Sequence, residues 1–319
     1  MMSVTYRPYR PGDEDAITTL WNACLPGDLM TRLRFRNLVL LDPNFDPQGL
    51  RIAEQEGRMV GVLYAVRRRL PMIGTELELD HGWITFFYTD PSVRRQGVAS
   101  RLLQDGEDYL RDHGRSKVFF SSYAPNYIVP GIDGERYPEG LAWLAASGFT
   151  RNYTAVAMDR SLVDFHMPPE VAELKRQREQ EGFTFMLAQD SDLVELIDFA
   201  TDVFNPDWGR AIREGLLQRL RTDQILIARD QGKLVGFCLH NGYEGVAERF
   251  GPFGVDPSMQ GKGLGKILLY DCLALMRAQG LHGAWFLWTG EQSPAGHLYR
   301  KAGFHVTRRF DIMSKTTLR

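Results

Sequence analysis

Hydrophobic positions along the chain change their period in a fixed order, and that order is run twice. Short alternating stretches, "TYRPYR" and "FTFMLA", predict strands. Each leads into an acidic segment of helical period, 13–25 and 190–204, whose opening Asp and Ser residues can accept hydrogen bonds from first-turn amides. A hairpin signal follows in each half. In "RIAEQEGRMVGVLYAV" and "ILIARDQGKLVGFCLH", two apolar runs flank a Gly-containing turn. Central strands are predicted at 83–89 ("WITFFYT") and 249–255 ("RFGPFGV"), the second bulged or splayed by Gly251, Pro252 and Gly254. Helical spacing returns at Val98, Leu102, Gly106, Tyr109 and Leu110, and again at Leu264, Ile267, Leu268, Cys272, Leu275 and Met276. "KVFFSSY" and "GAWFLWT" predict the next strands, and a short helix then ends at Ser147-Gly148 or Ala302-Gly303.

The repetition extends to residues. "LRIAEQEGRMVG" (50–61) parallels "ILIARDQGKLVG" (225–236), "TDPSVRRQGVASRLL" (89–103) parallels "VDPSMQGKGLGKILL" (255–269), and "LAASGF" (144–149) parallels "YRKAGF" (299–304). Three landmarks in one order, at slowly changing offsets, are what duplication leaves after loops lengthen and shorten. The expected organisation is a first domain at 1–164, a linker with a charged helix at 165–182, and a second domain at 183–319. Pro168-Pro169 marks the irregular start of the linker.

Composition narrows the classes. The chain has 319 residues, 44% hydrophobic and 24% charged, with a formal net charge of -2. That length suits two domains, and the charge gives no footprint for nucleic acid. No apolar run is long enough for a membrane span, and the N-terminal stretch has no apolar signal core. Cys24, Cys238 and Cys272 form neither a disulfide framework nor a metal-spaced cluster. The expectation is a cytoplasmic protein without a metal.

A strand, a Gly-rich turn and a helix start make an anion site. First-turn amides lack partners there, and the helix dipole favours negative charge. Two familiar phosphate loops do not fit "QGKGLGKI". A P-loop needs Gly at Gln260 and Ser or Thr at Ile267, and the dinucleotide pattern needs Gly at Lys266 or Leu268. What fits is Gln/Arg-x-x-Gly-x-Gly/Ala, as Gln260-Gly261-Lys262-Gly263-Leu264-Gly265 and Arg94-Arg95-Gln96-Gly97-Val98-Ala99. With the preceding "VDP" and the following "LYRKAGF", the sequence resembles the GNAT acetyltransferase superfamily over nearly its whole length, as two tandem domains.

The resemblance implies an α/β (α+β) fold in each domain, a mixed and splayed central sheet flanked by helices. It also implies acetyl-CoA as cosubstrate. Phe253 and Val255, with Phe87 and Thr89 in the first half, would meet pantetheine through backbone groups. Pyrophosphate would lie on Gln260 to Lys266, or on Arg94 to Ser100. Lys262, Lys266, Arg94 and Arg95 add positive charge. Ala99 in place of Gly265 is expected to leave the first loop slightly less open.

In the family, a Tyr in Leu-Tyr-x-x-x-Gly-Phe protonates the departing thiolate. Leu298-Tyr299-Arg300-Lys301-Ala302-Gly303-Phe304 matches in full, whereas Leu144 holds the Tyr position of the first half. Gln292 stands where the family often has a cofactor-binding Asn, and Tyr137 is its counterpart. A base is needed to take the amine's proton. Glu248 is favoured, with Glu244 and Glu291 as alternatives. His297 lies beside the Tyr motif, and Asp80 and His81 occupy the corresponding place in the first half.

The expected activity is N-acetyl transfer to a primary amine of a small molecule or peptide by the second domain, in a monomer or homodimer. The first domain would be a degenerate copy. A non-catalytic acyl-CoA sensor is the main rival, and an active first domain using water, Tyr123 or Tyr137 as acid is another. Two segments without motifs bear on the acceptor. The loop 121–144 is long and aromatic, to line a pocket or to cover a domain face, and a functional or packed role is expected of such loops. Trp208, Arg210 and Arg213 lie on a helix placed to meet an aromatic or acidic acceptor, or simply solvent.

Overall fold

The computed structural model describes residues 3–126 and 128–316. The chain forms two compact units, one of Met1–Pro71, Glu76–Ala155 and Arg309–Arg319, the other of Met72–Thr75 and Val156–Arg308.

In the first unit β1 (Val4–Pro8), α1 (Glu14–Cys24) and α2 (Arg32–Phe35) precede β2 (Leu50–Gln55), β3 (Arg58–Val66) and β4 (His81–Thr89). Helix α3 (Val98–Asp112), β5 (Lys117–Phe120), α4 (Pro138–Ala146) and the start of β6 (Thr150–Ser161) follow. β1 to β4 form an antiparallel meander. β5 lies parallel to β4 only from His81↔Lys117 to Ile84↔Phe120. Beyond Ile84 the two strands part. Side chains on alternate faces then build two cores, because strand residues point to opposite sides in turn. Ile17, Trp21 and Phe35 cover one face with Tyr64, Trp83 and Phe86. Val98, Leu102, Leu110 and Leu144 cover the other with Leu63 and Ile84.

The second unit repeats this order with α5 (Pro169–Gln180) in front of it. Next come β7 (Phe183–Leu187), α6 (Leu193–Val203), α7 (Pro206–Gln218), β8 (Ile225–Asp230), β9 (Lys233–His240) and β10 (Phe250–Val255). Helix α8 (Leu264–Ala278), β11 (Gly283–Thr289), α9 (Pro294–Lys301) and the start of β12 (His305–Thr316) complete it. β7, β8, β9 and β10 are antiparallel neighbours. β10 and β11 meet at one parallel bridge, Arg249↔Trp285, and then diverge. The helical positions of 264–276 face inward: Leu264, Ile267, Leu268, Cys272 and Met276 are at most 1% exposed. Each large apolar side chain buried so fully contributes roughly 1.5–3 kcal/mol.

Both hairpins turn through two residues with positive φ, Glu56-Gly57 and Gln231-Gly232. That is the turn whose twist matches the flanking strands. Both central strands carry a register shift, between Tyr64/Ala65 in the β3–β4 pair and between Phe250/Phe253 in the β9–β10 pair. Gly251 and Pro252 foretold the second. The first, at Thr85, has neither residue type to announce it.

Each unit takes a strand from beyond its own repeat. The first has Met313–Thr316 of β12 antiparallel to β5. The second has Val156–Ser161 of β6 antiparallel to β11.

Candidate functional site

In the second unit, β10 ends in a tight turn. The Asp256 carboxylate accepts from Ser258 N at 2.9 Å and Ser258 Oγ at 2.7 Å. Those two bonds hold its pKa below the usual carboxylate value. Gln260 is extended, and Gly261 and Gly263 then take φ of +82° and +79°. Gly263 is the N-cap of α8 and has no side chain to satisfy the first-turn amides. A row of amides at a helix N-terminus is therefore left for an anion. A Cβ at Gly261 would meet nothing within 4 Å, so glycine is needed there for its backbone angle, not for space.

The first unit draws the same path with different residues. Asp90 accepts from Ser92 N at 2.9 Å and Ser92 Oγ at 2.6 Å, and Gly97, at φ +81°, is the N-cap of α3. Arg95 occupies the place of Gly261 and takes φ +58°. For a residue with a Cβ, that conformation costs about 1–2 kcal/mol. At the last position of the motif a Cβ on Gly265 would lie 3.5–3.7 Å from Phe253, Leu298 and Val255, which is ordinary contact. The loops differ at Gly261/Arg95 and in their surroundings. Arg94 pairs with Glu139 at 3.1 Å, and the Phe87 ring packs, tilted, 4.4 Å from that of Trp143, whose indole N–H points at Ser100 Oγ, 3.5 Å away. The carbonyl of Thr89 accepts from Cys24 Sγ at 3.3 Å. In the second unit Phe253 and Val255 pair with Cys238 and Gly236 of β9, and among the described residues no strand pairs with their other edge.

Ser293 caps α9 by accepting from Gly296 N at 3.0 Å, with Gln292 exposed in the turn before it. Pro294 begins the helix and aims Tyr299 inward. Tyr299 is 8% exposed, its ring 4.5 Å from that of Phe286, 5.6 Å from Phe304, 5.9 Å from Phe250 and 6.1 Å from Phe253. Burial among these rings pushes the phenol pKa far above its usual value, and the thiols of Cys238 and Cys272 push it the same way. Tyr299 thus keeps its proton, and among the described residues its hydroxyl makes no hydrogen bond. Leu144 of α4 is fully buried and has no proton to give. The other hydroxyls considered in the first unit are engaged. Tyr123 donates to Asp42 at 3.2 Å and accepts from Asn44 at 2.9 Å, and Tyr137 donates to Asp28 at 2.9 Å.

The three carboxylates considered as base differ in company. Glu244 is paired with Arg249 at 2.7 Å, and Glu291 lies 3.8 Å from Arg300. Glu248 is half-buried, with no ion pair among the described residues, and its carbonyl accepts from Trp285 N at 3.0 Å where β10 and β11 begin to part. His297 is an exposed neighbour of Arg300, with Nδ1 and Nη2 3.1 Å apart. In the first unit His81 packs 4.9 Å from the Phe119 ring and pairs with Glu78 and Asp80, at 3.2 and 3.7 Å.

On the opposite face, Phe204 covers Gly254 so closely that an added Cβ would clash with its ring at 2.4 Å, and Trp208 stacks on Phe204 at 4.9 Å. This brings the α6–α7 segment to β10. Arg210 is corrected as an acceptor contact: it is 7% exposed and committed to Asp207 at 2.9 Å and to Glu214. Arg213 remains exposed. The loop 121–144 is packed into its own unit. Asn126 and Tyr123 both bind Asp42, and Asp133 accepts from the amides of Glu135 and Arg136. Tyr127 lies outside the described residues.

Two residues escaped the sequence reading. His240, fully buried at the end of β9, donates from Nδ1 to the Ala247 carbonyl at 2.8 Å and leaves Nε2 without a partner. Arg178 of α5 donates to the Lys262 carbonyl at 2.8 Å. The only signal for either was position, a His closing an apolar run and a charged helix ahead of the second repeat.

Two family models match the chain, the acetyltransferase (GNAT) family over residues 15–128 and the acetyltransferase (GNAT) domain over 221–306. A mycothiol acetyltransferase of Pseudarthrobacter chlorophenolicus is 27% identical over 242 residues, 71% of this chain and 68% of that protein. Among solved structures, a GCN5-related N-acetyltransferase from Sphaerobacter thermophilus superposes with a TM-score of 0.73 at 19% identity, over 98% of this chain and 95% of that one. A GCN5-related glucosamine N-acetyltransferase region in a fungal multi-domain β-N-acetylglucosaminidase gives a TM-score of 0.82 at 16% identity. The match spans 98% of this chain and 38% of that longer one. With a GNAT model on each half and the splayed sheet in both units, the chain belongs to the GNAT acetyltransferases as a tandem two-domain acyltransferase.

Proposed function

We propose that the chain is an acetyl-CoA-dependent N-acetyltransferase whose second unit performs direct transfer to the primary amine of a small molecule. The observation that carries the reading is the buried Tyr299, its ring 6.1 Å from that of Phe253 on the strand leading into a loop of uncapped amides, against Leu144 in the first unit. The residues present fit the cosubstrate. Gly261, Lys262, Gly263, Leu264, Gly265 and Lys266 would hold its pyrophosphate, Gln260 and Gln292 would flank it, and the free edge of Phe253–Val255 would take its amides. Bound there, acetyl-CoA supplies an activated acetyl thioester. Tyr299 gives its proton to the leaving sulfur, and Glu248, the unpaired carboxylate where β10 and β11 diverge, receives the amine's proton directly or through water. A curated relative and a structural neighbour are named for small molecules, mycothiol and glucosamine, which favours a small acceptor over a peptide.

The test is CoA release by the purified protein across a panel of amines. Wild-type protein turns over at least one, and Tyr299→Phe lowers kcat about a hundredfold or more with acetyl-CoA affinity unchanged. Absence of turnover in wild type, with acetyl-CoA still bound, would make the chain a sensor. Full activity in Tyr299→Phe would move the acid elsewhere.

A further inference from the structure

The helix α5 packs against the loop that opens α8. Leu174 lies so near Gly263 that an added Cβ would come within 2.8 Å of its Cδ2. Lys175 pairs with Asp271 of α8 at 2.8 Å, both side chains mostly covered. Glu170 approaches Lys266 to 4.0 Å. One contact reaches the backbone itself: Arg178 Nε donates to the Lys262 carbonyl, while Nη1 of the same guanidinium pairs with Glu181.

The peptide between Lys262 and Gly263 is planar and trans, so its C=O and N–H point in opposite directions. A guanidinium that fixes the carbonyl on the α5 side therefore turns the Gly263 N–H away from α5. Among the described residues that N–H has no acceptor, which leaves it with the uncapped amides at the start of α8. Gly263 on its C-terminal side, which can occupy either sign of φ, would otherwise leave this peptide freer to rotate than a residue with a Cβ would. The cation also withdraws charge from the carbonyl and makes the opposite N–H a stronger donor. In the first unit no described side chain donates to the equivalent carbonyl, that of Gln96. There Arg95 stands where the second unit has Gly261, and only Gly97 matches.

We infer that Arg178 is a positioning residue for the diphosphate site, fixing the orientation of the Lys262–Gly263 peptide from outside the repeat. This rests on the reading of 260–266 as the cofactor loop. The helix then belongs functionally to the second unit's binding apparatus, although the sequence pattern marks it as a connection between repeats.

Titration of the full chain with acetyl-CoA, and with S-acetylpantetheine, which lacks the diphosphate, tests this. Arg178→Ala should raise the acetyl-CoA Kd about tenfold, the value of one charge-assisted hydrogen bond. Affinity for S-acetylpantetheine and the melting temperature of the free protein should stay as in wild type, and Arg178→Lys should restore part of the loss. Arg176→Ala, two residues away on the exposed side of the same helix, should change nothing. Unchanged acetyl-CoA affinity in Arg178→Ala, or an equal loss for both ligands, overturns the inference. A wild-type chain that binds no acetyl-CoA overturns the proposed function along with it.

Discussion

Tyr299 and Leu144 stand at the same place in two copies of one pattern, and both are buried on a short helix behind the central strands. Burial does opposite things to them. For Leu144 it is ordinary core packing. For Tyr299 it raises the cost of the phenolate, so the phenol stays neutral. The sequence distinguished them because a missing hydroxyl is a change of residue type. It favoured Glu248 over Glu244 and Glu291 by chain position alone, because only the fold shows which carboxylates have an arginine beside them. His240 belongs to this scale too. Burial lowers its pKa, although the Ala247 carbonyl and nearby Asp223 act in the opposite direction. Neutral His240 therefore contributes stability that is full above about pH 6.5, its unfolded value, and declines as pH falls towards the depressed folded value. His240→Asn keeps a donor for the Ala247 carbonyl and removes the titration. Denaturant melts across this range should show a flatter pH dependence for the variant than for wild type.

At the scale of elements, hairpins, α3, α8 and the Gly loops were legible because each is encoded locally, by a period or by glycine at a required angle. The bulge in β10 was legible through Gly251 and Pro252, whereas its counterpart at Thr85 was not, since neither Gly nor Pro stands there. The loop pair makes the point sharply. Gly261 and Arg95 share one left-handed conformation, so the position tolerates a side chain at a conformational cost. Gly261→Ala should destabilise the second unit by about 1–2 kcal/mol through backbone strain alone, since the added methyl has open space around it. Thermal melting should show the loss, with acetyl-CoA recovering part of it by binding the folded state.

For the whole molecule, the repeat correctly announced two similar units, but it is a linear signal and could not show that strands are exchanged. β6 begins in the first unit and ends in the second, and β12 does the reverse, so each unit's sheet includes residues from the other's stretch of sequence. Nor could it show that α5 braces the second loop. The resulting picture is asymmetric, with two loops of one shape but one unit that combines glycines at both left-handed positions with a buried proton donor. The most direct test compares acetyl transfer by Gly263→Glu and Gly97→Glu in one assay, with melting temperatures confirming that both fold. Each variant puts a carboxylate at the N-cap of one loop. Loss of transfer in Gly263→Glu and its retention in Gly97→Glu is the predicted result, and retention in the first with loss in the second would contradict the assignment.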